Sequence, residues 1–162
     1  MAYSTISKPS LYFSNKLYTG NGGSNSITGV GFQPDWVWAK CRDDSHNHQV
    51  FDAVRGATKR LRTDTDGAET THAESLKSFD SDGFTMGTQT NVNQNSATYV
   101  AWNWKAGTTS IPSGSTTDPS AVSINTTAGF GIYKITAPGS GNYVLKHGLG
   151  ATPKMVIVKR TD

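Results

Sequence analysis

Charged and large apolar residues are both scarce in this chain. Of its 162 residues only 17% are charged and 35% hydrophobic. Nowhere does it carry the long Ala/Leu/Glu/Lys stretches that a helical bundle requires, so a helical enzyme is excluded. A single cysteine, Cys41, excludes an internal disulfide and leaves packing or assembly to supply stability. The net charge of +3 is too small to argue for nucleic acid. No apolar run approaches membrane-spanning length, and residues 1–8 lack a basic-then-apolar leader pattern, so neither membrane insertion nor secretion through a signal is expected.

Glycine, serine, threonine and asparagine are abundant instead, as in a loop-rich all-β protein. One stretch also occurs twice. Gly29-Val30-Gly31-Phe32-Gln33-Pro34-Asp35-Trp36-Val37-Trp38-Ala39-Lys40 aligns without a gap to Gly148-Leu149-Gly150-Ala151-Thr152-Pro153-Lys154-Met155-Val156-Ile157-Val158-Lys159. Both glycines, the proline, one valine and the lysine are identical. Glycines that permit φ > 0, a residue pushed extended by the following proline and an apolar run predict a turn leading into a strand. Residues 16–20 and 133–137 precede the two copies in similar style. This predicts one full module followed by the opening of a second, in a chain expected to continue beyond Asp162.

The expected organisation is an N-terminal arm over residues 1–10, a β-sandwich module (lectin-like or jelly-roll-like) over 11–106, a Ser/Thr/Gly/Pro linker over 107–119 and a related β module beginning at 120–162. Within the first module, strands are predicted at 11–19, 35–41, 48–54, 76–80, 84–87 and 97–105, with a hairpin tip or loose loop at 20–25. In the second, strand signals fall at 122–126, 129–136, 142–147 and 155–159. Alternation puts Trp36, Trp38 and Lys40 on one face of their strand and Val37, Ala39 and Cys41 on the other. With both faces largely apolar, this strand is expected to be central.

Two groups of residues invite a functional reading. Arg55, Lys59, Arg60 and Arg62 crowd into eight positions and could grip phosphate or an acidic protein surface. The simpler reading is a solvated loop or ion pairs with Asp64, Asp66 and Glu69, and aromatics are not interleaved as single-stranded nucleic acid requires. Trp36, Trp38, Trp102 and Trp104 form two Trp-x-Trp pairs that could make a flat platform for stacking on sugar rings. Against this stands the expectation, which we favour here, that large aromatics build the core of a small sandwich.

Chemistry is otherwise hard to find. Asp64-Thr65-Asp66-Gly67 and Asp80-Ser81-Asp82-Gly83 look like the front of a calcium loop, but neither has a closing acid, and Asp-Gly makes a hairpin turn by itself. His46 and His48 at i, i+2 would need a further ligand to hold a metal. No serine sits in a nucleophile elbow, and Cys41 lies in an apolar strand. No catalytic residue, cofactor or metal site is expected.

Several motifs then resemble, in order and over nearly the whole chain, a family of marine bacteriophage virion proteins. They are Lys16-Leu17-Tyr18-Thr19-Gly20-Asn21-Gly22, Ile27-Thr28-Gly29-Val30-Gly31-Phe32-Gln33-Pro34-Asp35, Asp52-Ala53-Val54-Arg55-Gly56-Ala57-Thr58-Lys59, Ser78-Phe79-Asp80-Ser81-Asp82-Gly83-Phe84-Thr85 and Tyr99-Val100-Ala101-Trp102-Asn103-Trp104-Lys105-Ala106-Gly107. Downstream, Asn125-Thr126-Thr127-Ala128-Gly129-Phe130 and His147-Gly148-Leu149-Gly150 with Pro153-Lys154 look like the start of that family's usual next module. The resemblance implies a tail-fibre or capsid-appendage component located in the virion, built of tandem lectin-like sandwiches and carrying no catalytic residues. Its expected partners are other virion proteins and further copies of itself. The competing expectation from another class is a lectin-like module that reads a host surface glycan.

Overall fold

The computed structural model describes residues 6–107 and 109–162. The chain is all-β and sandwich-like, with 33% strand and 4% helix. After a 3₁₀ turn at Pro9–Leu11 come β1 (Phe13–Thr19), β2 (Asn25–Ile27), β3 (Trp36–Cys41), β4 (Gln49–Asp52), β5 (Lys59–Arg60) and β6 (Thr70–Thr71). Then follow β7 (Leu76–Asp80), β8 (Gly83–Met86), a helical turn α1 (Thr90–Asn93), β9 (Thr98–Trp104), β10 (Ala121–Asn125) and β11 (Phe130–Lys134).

One antiparallel sheet has the order β1-β9-β3-β4 and a second has β2-β8-β7. The strand expected to be central, β3, does lie between β9 and β4. Of the two expectations for residues 20–25, a hairpin tip or a loose loop, the hairpin tip is not what forms: they carry the chain from one sheet to the other, because β1 pairs with β9 and β2 with β8. The inner faces of the two sheets meet in one cluster that includes Val37, Ala39, Phe51 and Ala101 from the first and Ile27, Leu76, Phe84 and Met86 from the second. Val30, Phe32 and Val92 seal it from the connecting segments. Burial of this apolar set, at about 25 cal/mol per Å², is the main force holding the layers together.

The repeated turn is pinned by one carboxylate. Gly29 and Gly31 sit at φ +75° and +90°, a conformation that lets the N–H groups of both point at the same acceptor. Asp82, in the two-residue turn between β7 and β8, takes them at 2.9 and 2.6 Å. The Asp80–Gly83 segment is therefore a hairpin turn whose aspartate holds the glycine turn. Gly148 and Gly150 of the second copy take the same left-handed conformation, at φ +67° and +76°.

The second copy then diverges. Residues 142–147 and 155–159, expected as strands, are not in any sheet. Met155, Val156, Ile157 and Val158 are 49–78% exposed, whereas β3, at the same repeat position, gains ladder partners on both sides. What does form beyond the linker is the β10–β11 hairpin. Asp35 joins that hairpin to the first module: it accepts the Ala106 N–H at 2.7 Å and the Ser123 hydroxyl at 3.3 Å. Burial pushes its carboxyl above the usual range, against the pull of those two bonds and of Lys105.

Candidate functional site

The four basic residues of the 55–62 segment do not act as one patch. Arg55 is folded inward, its side chain 7% exposed, and bonds Asp52 at 2.6 Å and Glu69 at 3.0 Å. It also caps the carbonyls of Lys59 and Val50. Removing one member of such a buried pair costs about 3–5 kcal/mol, because the other charge is left uncompensated. Lys59 reaches Thr71 and Glu69. Arg55 thus serves the fold, while Lys59 pairs loosely with Glu69 and keeps its side chain 40% exposed. Arg60 and Arg62, on alternate positions either side of buried Leu61, line a small pocket instead.

The tryptophans correct a larger expectation. None of them belongs to the buried cluster; all four stand, partly exposed, on the outer face of the first sheet. The reason is pairing register. Trp36 lies opposite Trp104 and Trp38 opposite Trp102, while the intervening Val37, Ala39, Ala101 and Asn103 fill the inner face. The outer face thus carries cross-strand rows: Phe13, Trp104 and Trp36; then Asn15, Trp102 and Trp38; then Leu17, Val100 and Lys40.

The two ends of this face differ. Phe130 of β11 stacks on Trp104 at 6.0 Å and meets Trp36 edge-on at 6.4 Å, while Phe13 leans on Trp104 at 4.8 Å. That end is covered by the chain itself. Further along, Trp38 and Trp102 meet edge-on at 6.1 Å beside Leu17, which is 65% exposed. The Trp38 indole N–H donates to His48 Nδ1 at 2.9 Å, so the ring is fixed in orientation and the His48 proton sits on Nε2. Lys40 curls back to the carbonyls of Cys41 and Asp44 and leaves the aromatic surface clear. The result is a rigid apolar patch with a polar border, a surface suited to contact with another molecule.

Several of the other polar groups singled out from sequence are occupied structurally, while Asp66 is exposed. His46 faces Gln94 at 3.0 Å, on a different partner from His48. Asp64 accepts from the Asn47 side chain and the His48 backbone N–H, and Asp80 from Ser78 and Thr85. Among the described residues, no group of three or more His, Cys, Asp or Glu could hold a metal, and no helix is long and apolar enough to cross a membrane.

One residue that sequence reasoning missed is Asn93. It is fully buried. Its amide donates to Asn21, Gly23 and Gly87, and its oxygen accepts from the Asn21 N–H and Asn25. The 20–25 segment is thereby tied to the sandwich. No local signal distinguishes this asparagine from its neighbours.

A family model described as "Domain of unknown function (DUF7483)" matches residues 8–162. No curated protein and no solved structure matches the chain.

Proposed function

This chain belongs to the DUF7483 family, and we propose that it is a contact module of a bacteriophage virion, a tail-fibre or capsid-appendage component that attaches through protein–protein contacts. The observation that carries the reading is the outward aromatic face. A small sandwich with Trp38, Trp102, Val100 and Leu17 on its solvent side keeps apolar area where only a partner can bury it. Tryptophans of this kind, rigid and partly desolvated, are the usual anchors of an interface. The ordered motifs from Lys16 to Gly107 support the virion setting, and the repeated turn supports tandem modules. Other virion proteins or further copies of this chain are the partners proposed.

The test is to purify particles and look for the chain by mass spectrometry, then repeat with Trp38→Ala/Trp102→Ala. The expected result is that the native chain is present and the double variant, though folded, is lost from the particle. Absence of the native chain from particles would end the proposal.

The fixed Trp38 ring also favours a second reading, in which the same face stacks on the sugar rings of a host surface glycan. Quenching or a shift of tryptophan fluorescence on adding host polysaccharide, lost in Trp102→Ala, would support it. An unchanged spectrum would leave the protein contact as the role of the face.

A further inference from the structure

Arg60 and Arg62 are held side by side, and among the described residues no acid pairs with either. Strand β5 pairs Arg60 with Thr70 of β6, and the next residue, Leu61, exchanges both backbone bonds with Val50. That ladder keeps the chain extended, so the two arginines project to the same side. With Thr65, Gly67, Ala68 and Thr70 they line a pocket of about 150 Å³. A single water needs only about 10–15 Å³ of such space, so there is room for a polyatomic group. Gly67 and Ala68 are exposed and place the mouth at the surface.

The polar inventory of the pocket is one-sided. Arg60 is 8% exposed and uses its Nε on the Thr70 hydroxyl at 3.2 Å. Arg62 Nε and Thr65 Oγ1 are buried, and neither has a hydrogen-bond partner among the described residues. The nearby acids are engaged elsewhere or turned to solvent: Glu69 by Arg55 and Lys59, Asp64 by Asn47 and His48, while Asp66 is exposed. A further cation, Lys159, donates to the Thr65 carbonyl at 2.8 Å. Burial, and secondarily the Arg62 charge, push the Arg60 guanidinium below its ordinary pKa, as expected for like charges brought together. Burying the Arg60 guanidinium and the Arg62 Nε without a counter-charge is costly. An anion seated between them would offset that cost.

We infer that this pocket binds an oxyanion of the sulfate or phosphate type, free or as an ester, through Arg60, Arg62 and the Thr65 hydroxyl. Guanidinium forks match such oxygens in pairs, and the hydroxyl donates to a third. The site is separate from the aromatic face and does not rest on the function proposed for it.

Isothermal titration of the 162-residue chain with inorganic phosphate, sodium sulfate and p-nitrophenyl sulfate, at constant ionic strength, tests this. The native chain should give a saturable binding signal with at least one of these anions, and Arg62→Gln should weaken it at least tenfold. Arg62→Gln should also melt, without anion, no lower than the native chain, because it removes repulsion and breaks no ion pair. Binding of p-nitrophenyl sulfate as tight as that of sulfate would assign the pocket to an ester group; sulfate or phosphate alone would assign it to the free ion. No saturable binding by any of the three, or undiminished binding by Arg62→Gln, would overturn the inference. So would a lower melting temperature for Arg62→Gln in anion-free buffer, since it would mean that Arg62 is satisfied within the fold.

Discussion

The two faces of the β1-β9-β3-β4 sheet are built from the same strands and met opposite fates. On the inner face, Val37, Ala39 and Ala101 are fully buried, and Phe51 of β4 joins them. On the outer face, the much larger Trp36, Trp38, Trp102 and Trp104 remain partly exposed. Side-chain size therefore did not decide which face became the core. What lies across from each face did. Ile27, Leu76, Phe84 and Met86 stand opposite the inner face and already supply bulk, so at native packing density Val37, Ala39 and Ala101 must be small there, while Tyr99 of β9 is buried further along, stacked on Tyr18. Across the outer face, Phe130 packs on Trp36 and Trp104 at one end, while among the described residues Leu17 at the other end is 65% exposed. The tryptophans are outside because the second sheet fills only the inner face, which leaves the outer one open to the partner proposed for it.

Substitutions can break that contrast. The largest effect belongs to the inner face: Phe51→Ala should cost about 3–5 kcal/mol in denaturant unfolding, through lost transfer energy and the cavity left behind. Val37→Ala should cost about 1.5–3 kcal/mol for the same reason. Trp102→Ala, on the outer face, should cost only about 1–2 kcal/mol, since it gives up partial burial and the edge-on contact with Trp38. An equal cost for Trp102→Ala and Phe51→Ala would mean the outer face is core after all.

Asp82→Ala should lower the melting temperature modestly by freeing the glycine turn beneath Trp36. The Gly31 and Gly29 N–H groups hold the Asp82 carboxyl below its ordinary pKa. A depressed folded-state value means that its contribution is complete above the unfolded value near 3.9 and is lost as pH falls through the folded value. The gap between native and Asp82→Ala melting temperatures should therefore be full at neutral pH and close below about pH 4. Smallest of all, Val156→Ala should change stability by less than about 0.5 kcal/mol. It occupies the repeat position of Val37 yet is 74% exposed.

That last pair also shows what could be read from sequence. The Gly-x-Gly turn is local chemistry, and both copies adopt it. A strand is completed by partners far away in sequence, so the same apolar run is a central strand in β3 and unpaired at residues 155–159. Alternation along residues 36–41 and 98–104 was legible, and with it the division of residues between faces. Which face would be covered was not, because period two treats the faces alike. In the 55–62 segment the charges were visible, but the separation of Arg55 from Arg60 and Arg62 depends on Asp52 and Glu69 closing around one of them. Strands as short as β2, β5 and β6 carry too few residues for any pattern. Buried Asn93 is defined by a loop that arrives about seventy residues earlier in the chain.

The measurement that bears most directly on the central claim is a cryo-electron microscopy map of the intact virion, fine enough to trace this chain. The account predicts ordered copies in which another protein chain lies against Trp38, Trp102, Val100 and Leu17, with the inner face closed within each sandwich. Copies in the particle whose outer aromatic face touches no other protein would contradict it.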